Sequence, residues 1–279
     1  MELASRVKEM VGNKGVPVTR LVSKALRRAG RWATTTAQSI DSRSPRPTLD
    51  LRVFDAINIG CGYDKRPGHL NIDVDPAAKP DFLVIDGDHS AIPHGHYRSV
   101  VAKDVLEHIP RTATLEALLE WAAWLRPQGS LYVQTSSILG AADQLRNSKE
   151  FALHYGWTLC LFGSQAHPGD FHYTGFTETT LRVYLRAAGF TVESWTMHDG
   201  WLFEVNAVKS SEWCPDIRET SDEAFIREAY RHALARDVDP AGLAGGLERL
   251  RGGVSRFNYL KQLFGSPERV HTVAKSMGY

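Results

Sequence analysis

The chain has 279 residues, of which 43% are hydrophobic and 23% charged, and its net charge is +1. This composition is typical of a soluble globular protein and predicts one full core with a smaller appended module. No apolar run approaches the roughly 20 residues that span a bilayer, and no secretory signal is visible, so we predict a cytoplasmic protein. Three widely spaced cysteines, Cys61, Cys160 and Cys214, do not suggest a disulfide framework or a zinc site.

The first part of the chain is basic. Residues 1–50 carry 10 Lys/Arg against 4 Asp/Glu, whereas the remainder carries 23 against 28. The stretch TRLVSKALRRAGRW has helical periodicity, with one apolar and one basic face. Such a helix could dock on its own protein or a second subunit, lie on an anionic membrane surface, or bind RNA. With the polar linker TTTAQSIDSRSPRPT it forms a predicted basic helical arm over residues 1–49.

The middle of the chain alternates apolar runs with helical patterns. VFDAINIG, LNIDV, DFLVID, SVVAKD and SLYVQTS are predicted strands buried on both faces, and TVESWTM and WLFEVNAVK follow later. TATLEALLEWAAWLRPQG is a predicted helix with Leu125 on its apolar face and Pro127 and Gly129 as its stop. TETTLRVYLRAAGF is another, with Thr177 as N-cap and Gly189 as terminator. This order predicts an open α/β fold with a mainly parallel sheet.

The stretch INIGCGYDKRPGHLNIDVD indicates a ligand-binding turn. Gly60 and Gly62 would let a ligand approach the backbone, and the Asp73 carboxylate can accept hydrogen bonds from two ribose hydroxyls. A nicotinamide-binding turn would need a third glycine and a later acidic residue. The connection from Gly62 to the next strand is short for a parallel crossover, so we predict that the usual helix after the turn is absent.

Four segments resemble the class I S-adenosylmethionine-dependent methyltransferases, and in particular a bacterial subgroup with an N-x-G-C-G…G-x-x-N-I-D motif. They are INIGCGYDKRPGHLNIDVD, FLVIDGD, VVAKDVLEHIP with the following helix and LRPQGSLYV, and FHYTGFTETTLRVYLRAAGF. The resemblance runs from about Val53 to Lys209 and implies a Rossmann-like sheet of seven strands. We predict a methyltransferase domain over residues 50–210.

The resemblance also implies a binding site for S-adenosylmethionine. Its residues fall into a glycine turn, the ends of the second and third strands, and the floor after the fourth strand: Asn58, Gly60, Cys61, Gly62, Tyr63, Asp73, Val74, Asp86, Gly87, Lys103, Asp104 and Leu106. Asn58 stands where most of these enzymes have an acidic residue, and an amide retains hydrogen-bonding capacity without the charge. Lys65 or Arg66 could supply the positive charge for the cofactor carboxylate.

The predicted catalytic residues are His108, His172 and Asp104. His108 follows the fourth strand, where ligands of open α/β sheets bind, and His172 lies in a segment with the character of a lid, HPGDFHYTGF. Either histidine is a candidate general base for a hydroxyl acceptor, and either could instead have a structural role. Glu107 is interpreted as a favourable charge near the start of the next helix.

We predict no metal site from the histidine-rich stretch HSAIPHGHY, because no Asp or Cys completes a ligand set with His89, His94 and His96. The stretch EFALHYGWTLCLFGSQAHPGDF interrupts the α/β pattern, and its aromatic residues could be core or a platform for a sugar or another ring.

The C-terminal stretch predicts four short helices over residues 220–279. Ser221 or Asp222, Asp239-Pro240, Ser255 and Ser266-Pro267 carry the signals of helix starts. The pattern is similar to a small helical domain of unknown function that is related to phycobilisome linkers. That resemblance implies a bacterial or phage origin and a saccharide context.

These observations predict a methyltransferase that uses S-adenosylmethionine to methylate a sugar hydroxyl in a bacterial glycan or a glycosylated natural product. The expected partner is a small-molecule or glycan acceptor, with homodimerisation through the flanking helices and peripheral membrane contact through the basic arm as further options. The alternatives are an RNA methyltransferase and a non-catalytic scaffold with the same fold.

Overall fold

The computed structural model describes residues 49–85, 87–166, 168–210 and 221–279. The predicted basic arm, Asp86 and Cys214 lie outside the described residues, and their predicted roles stay predictions.

Seven strands form one sheet with the order β3-β2-β1-β4-β5-β7-β6. The strands are β1 (Ala56–Ile59), β2 (Leu70–Asp73), β3 (Phe82–Leu83), β4 (Tyr97–Lys103), β5 (Leu125–Ser136), β6 (Phe190–His198) and β7 (Leu202–Lys209). The pairings among β1 to β5 are parallel, and β7 is antiparallel to both of its neighbours, β5 and β6. β7 is therefore the one reversed strand of this sheet. The predicted Rossmann-like, mainly parallel sheet of seven strands is confirmed.

Four α-helices accompany the sheet within residues 49–210: α1 (Thr114–Trp124), α2 (Ile138–Arg146), α3 (Phe151–Phe162) and α4 (Glu178–Ala187). The apolar residues of α1 are buried because their helical spacing places them against the sheet. Helix α4 begins at a capping box formed by Thr177 and Thr180, so the predicted N-cap is confirmed. Helices α2 and α3 pack on each other around Ala141, Trp157 and Cys160.

The predicted end of α1 is wrong in one respect. Leu125 is the first residue of β5, and Pro127 and Gly129 lie within that strand. Leu125 pairs with Tyr97, whereas the next ladder pair is Ser99 with Ser130. The intervening residues therefore bulge out of the ladder, which accommodates a proline that cannot donate a hydrogen bond.

Four helices form the C-terminal module: α5 (Asp222–Leu234), α6 (Pro240–Arg251), α7 (Arg256–Phe264) and α8 (Pro267–Ser276). Each predicted helix start is confirmed, because the side chains of Ser221, Asp239, Ser255 and Ser266 accept hydrogen bonds from backbone N–H groups of the first turn.

The module shares its hydrophobic core with the sheet and its helices. Helix α8 packs against α4, and α7 packs against α1, where Lys261 Nζ lies 2.9 Å from Glu116 Oε1. The imidazole of His94, in the loop before β4, packs on Phe257 of α7 at a centroid distance of 4.6 Å. Over the described part of the chain, the helices are too short or too polar to cross a bilayer.

Candidate functional site

The glycine turn joins β1 to β2 without a helix, as the sequence predicts. Gly60 and Gly62 have φ values of +55° and +48°, which residues other than glycine rarely adopt. A Cβ atom on Gly60 would lie 2.7 Å from Cγ2 of Val105, in the loop after β4. The backbone of the turn therefore lies close to the end of β4 only because residue 60 is glycine.

Asn71 of β2 holds the short connection in place. Its Oδ1 accepts hydrogen bonds from Arg66 N (2.8 Å) and Asn58 Nδ2 (3.0 Å), and its Nδ2 donates to His69 O (3.0 Å) and Asp81 Oδ2 (2.8 Å). These bonds satisfy backbone groups of a connection that has no helix to satisfy them. This role was not predicted from the sequence, where its signal is an asparagine in the strand that follows a short parallel connection.

Asn58 belongs to the same network. Its Nδ2 also donates to Asp64 O at 3.0 Å, and the side chain is buried. The amide at this position therefore ties β1 to the turn and to β2 through donated hydrogen bonds, which a carboxylate could not form.

The Asp73 carboxylate lies at the carboxyl end of β2 and faces the turn. Oδ2 accepts from Gly62 N at 2.7 Å, and Oδ1 accepts from Asp75 N at 2.8 Å. A carboxylate has about four acceptor positions, so these two bonds orient Asp73 and leave capacity for a ligand. Val74 follows β2 and Ile85 lies just after β3, and they expose 66% and 63% of their surface. Ile85 was not among the predicted cofactor residues.

The thiol of Cys61 is buried in the turn. Burial, followed by the negative charge of Asp73, raises its pKa to about 11. The neutral thiol is therefore favoured at physiological pH, and Cys61 is a packed residue of the turn. Its backbone N–H donates to Ile72 O at 3.0 Å, which fixes the start of the turn against β2.

The remaining predicted cofactor residues have different exposures. Tyr63 is exposed and the Lys103 ammonium lies 4.0 Å from Asp64 Oδ2. Leu106 is fully buried in the hydrophobic core. Gly87 has a φ of +72° with open space around it. Lys65 donates to the carbonyl oxygen of Lys79, so its ammonium is held by the loop before β3.

Asp104 directly follows β4 in the left-handed region, with a φ of +54°. This conformation is uncommon for a residue other than glycine. Its N–H donates to Gln134 O of β5 at 2.9 Å, which fixes the strained turn at the edge of the sheet. Strain of this kind is concentrated at functional sites.

The two predicted catalytic histidines meet in space. The rings of His108 and His172 pack edge to face at a centroid distance of 4.6 Å and an angle of 87°. Glu107 completes a cluster with them, because one ligand-type atom from each of the three residues lies within 4.8 Å of the others. We call these three residues the Glu-His-His cluster.

The cluster depends on contacts between the loop after β4 and the segment after α3. Tyr173 N and Thr174 N both donate to Glu107 O, at 2.8 and 3.1 Å. Thr174 Oγ1 donates to Ile109 O at 2.6 Å, and His108 Nδ1 lies 3.1 Å from Phe171 O. The predicted lid segment is therefore attached to the loop by hydrogen bonds from both backbone and side chains.

Glu107 does not have the role predicted from the sequence. Its side chain is buried, and Oε2 accepts a hydrogen bond from Thr135 Oγ1 of β5 at 2.9 Å. The helix after it begins only at Thr114, so the carboxylate belongs to the cluster and not to the helix start. Its charge, with that of Asp104, adds to burial in raising the pKa of the Cys160 thiol to about 12.

The three histidines of HSAIPHGHY do not form a cluster. His89 pairs with Glu120 at 3.4 Å, His94 packs on Phe257, and His96 Nε2 lies 3.0 Å from Phe54 O. Each ring thus contacts a different element, and burial lowers the pKa of His94.

Comparison with known proteins places the chain in a family. A family model described as a methyltransferase domain matches residues 21–194, which is more than half of the chain, and the protein belongs to this family. A second model, described as a domain of unknown function (DUF4214), matches residues 206–273 and thus includes most of the helical module.

Several solved structures are similar to parts of the chain. A possible exported protein from Bordetella parapertussis is 16% identical over 58% of this chain, with a TM-score of 0.40, and the match spans 64% of that protein. A 1,6-didemethyltoxoflavin-N1-methyltransferase from Burkholderia thailandensis, solved with its substrate and S-adenosylhomocysteine, is 15% identical over 75% of this chain and 86% of its own, with a TM-score of 0.38.

A methyltransferase from Methanosarcina mazei described as S-adenosylmethionine-dependent is 16% identical over 57% of this chain and 93% of its own, with a TM-score of 0.39. Identities and TM-scores at this level carry no argument about the acceptor. No curated protein sequence matches the chain significantly.

Proposed function

We propose that this protein transfers a methyl group from S-adenosylmethionine to a hydroxyl oxygen, and that the acceptor is a sugar. The observation that carries the proposal is the position of two different sets of side chains at one edge of the sheet. The glycine turn and Asp73 follow β1 and β2, and the Glu-His-His cluster includes the residues that follow β4. Because these strands are parallel, their carboxyl ends lie at the same edge, where ligands of open α/β sheets bind.

The residues of the donor side fit S-adenosylmethionine. Gly60 and Gly62 keep the turn free of side chains, and Asp73 presents a carboxylate that is oriented by two backbone N–H groups and suits the ribose hydroxyls. The exposed apolar side chains of Val74 and Ile85 suit the flat adenine base. When bound, the cofactor supplies an electrophilic methyl carbon attached to a sulfonium sulfur.

The acceptor side must handle one proton. As the hydroxyl oxygen forms a bond to the methyl carbon, the carbon–sulfur bond breaks and the hydroxyl proton must leave. His108 and His172 each hold Nδ1 against a backbone carbonyl, Phe171 O at 3.1 Å and Cys160 O at 2.8 Å. A carbonyl oxygen can only accept, so Nδ1 carries the hydrogen and Nε2 has the lone pair in a neutral ring. The cluster is therefore equipped to take up the proton.

Exposed aromatic side chains support a ring-shaped acceptor. Phe151, Tyr155 and Phe162 of α3 are more than half exposed, as is Tyr173, which adjoins His172. Phe151 stacks on Tyr155 and Phe171 stacks on Tyr173, with centroids 6.1 and 6.0 Å apart. Phe171 and Tyr173 adjoin the cluster. A flat aromatic surface there suits the apolar face of a sugar ring, whose hydroxyls would then meet the cluster.

The first test is calorimetric titration of the purified full chain with S-adenosylmethionine and, separately, with S-adenosylhomocysteine. We expect saturable binding of both, and we expect Asp73→Ala to weaken it. Transfer of a labelled methyl group to hydroxylated sugars, with RNA as the competing acceptor class, then identifies the acceptor. If a folded sample binds neither compound, the protein is a scaffold with this fold, and the proposal is wrong. If RNA alone is methylated, the sugar acceptor is wrong.

A further inference from the structure

We infer that the Glu-His-His cluster is a binding site for a divalent metal ion. One ligand-type atom each from Glu107, His108 and His172 lies within 4.8 Å of the other two. Two imidazole nitrogens and a carboxylate oxygen suit Zn²⁺, Mn²⁺ or Fe²⁺. Ligand atoms at about 2.1 Å from such an ion are about 3 to 3.5 Å apart. Only a small closure of these side chains is therefore needed.

The orientation of both rings favours this inference. His172 Nδ1 donates to Cys160 O at 2.8 Å, and His108 Nδ1 donates to Phe171 O at 3.1 Å. Metal-binding histidines usually donate their second ring N–H to a backbone carbonyl or a carboxylate, which fixes the tautomer and directs the other nitrogen to the ion. Both histidines have this arrangement, and the carbonyls belong to two different elements, α3 and the segment after it.

The burial of Glu107 also favours a metal ion at this cluster. The residue is only 4% exposed, yet it is a carboxylate, and a buried carboxylate is costly unless its charge is compensated. The Thr135 hydroxyl orients Oε2 at 2.9 Å. A divalent cation held by Glu107 and the two imidazoles would stabilise this buried carboxylate further.

His108 and His172 are only half-buried, so solvent reaches the cluster. Three protein ligands leave at least one coordination position for a further oxygen. The use of that position by the acceptor hydroxyl rests on the function proposed above. A hydroxyl held there would lose its proton more readily, to solvent, and His108 and His172 would then act as ligands and not as proton acceptors. Metal dependence of turnover distinguishes these two roles.

The experiment uses the full chain after treatment with a chelator and dialysis, without S-adenosylmethionine. Zn²⁺ and Mn²⁺ are titrated by calorimetry, and Co²⁺ is added as a spectroscopic probe whose visible absorption reports ligation by imidazole nitrogen. We expect one ion per chain. We expect His172→Ala and Glu107→Gln each to weaken binding by at least about tenfold. Glu107→Gln keeps the size of the side chain and its capacity to accept from Thr135, so it tests the charge in a folded protein.

The matched control is His232→Ala. His232 Nε2 lies 3.7 Å from Glu228 Oε1 on the exposed face of α5. Among the described residues, this histidine–glutamate pair is not part of a group of three ligand-type side chains. We expect the control to bind the ions like the unchanged protein. No saturable binding to the unchanged protein, or equal binding by Glu107→Gln and the control, would overturn the inference. Separate titration with S-adenosylmethionine shows whether the proposed function fails as well, because cofactor binding does not require the ion.

Discussion

The two halves of the candidate site are built in different ways. On the donor side, the glycine turn, Asn58, Asn71 and Asp73 lie within about twenty residues of sequence and are joined by short-range hydrogen bonds. On the acceptor side, His108 and His172 are 64 positions apart in the sequence and meet because the segment after α3 is bonded to the loop after β4. The donor side is therefore a local property of the chain, and the acceptor side is a tertiary one.

This difference suggests how the two halves can be changed independently. A local turn can bind the same cofactor in many proteins, because the residues that form it lie in one short segment of sequence. A cluster assembled from remote segments changes whenever the inserted helices change, and α2 and α3 are such an insertion between β5 and α4. The donor side would thus be shared across a family while the acceptor side sets specificity.

The largest expected effect is a loss of turnover in variants of the acceptor side, with the cofactor affinity of the donor side unchanged. His172→Ala and His108→Ala should each slow methyl transfer by about a hundredfold or more, since both rings belong to the cluster that we propose takes up the acceptor proton. Affinity for S-adenosylmethionine should stay within about twofold, as measured by calorimetry. The control is His154→Ala on α3, whose Nε2 lies 2.8 Å from Ser148 O. Unchanged turnover in both cluster variants would show that another group removes the proton.

The second prediction concerns the Cys61 thiol. Its pKa is raised from 9.0 to about 11 because burial and Asp73 disfavour the thiolate. At neutral pH the reactive thiolate is therefore about a hundredfold rarer than in the unfolded chain, and alkylation should slow accordingly. Peptide mapping by mass spectrometry after treatment with iodoacetamide, in the native state and in urea, measures the ratio.

The same shift has a consequence for stability. Between pH 9.0 and about 11 the unfolded chain has lost the Cys61 proton while the folded chain still holds it. The free energy of unfolding contributed by this group is therefore fully present below pH 9 and falls as the pH rises through that range. Equal alkylation rates in the native and unfolded states would contradict burial of the thiol.

The third prediction tests the donor side. Asp73→Ala should weaken binding of S-adenosylmethionine by roughly 1–3 kcal/mol, because it removes the carboxylate assigned to the ribose hydroxyls. The control is Asp75→Ala. It removes a neighbouring carboxylate that accepts from Ala77 N at 2.9 Å and has no predicted role in cofactor binding. Calorimetry measures both variants. Equal affinity for Asp73→Ala and the unchanged protein would remove Asp73 from the cofactor site.

The smallest effect is expected at the glycine turn. Gly60→Ala adds the cost of a left-handed alanine, about 1–2 kcal/mol, and places Cβ 2.7 Å from Val105 Cγ2. Gly95→Ala is a matched control, because its φ is +65° and a Cβ there meets nothing within 4 Å. Both variants should lower the thermal midpoint, and only Gly60→Ala should weaken cofactor binding. Similar cofactor affinities in the two variants would mean that the close approach to Val105 is not needed.

Much of the fold follows from local sequence patterns. The strands and the helices α1 and α4 were predictable because apolar residues recur with the period of each element. Caps such as Thr177, Ser221 and Asp239 were predictable because a short polar side chain satisfies N–H groups only two or three residues away. The start of β5 was not predictable, because the bulge at Pro127 depends on the register with β4.

By itself, the sequence determined the donor side: two glycines, an aspartate and a connection too short for a helix already specify a bare turn facing a carboxylate. The tertiary structure decided the acceptor side. Thr135 of β5 orients the Glu107 carboxylate, and His172 joins the cluster because hydrogen bonds attach its segment to the loop after β4. Contacts between residues so far apart depend on how the whole chain folds back on the sheet, and no local periodicity encodes them.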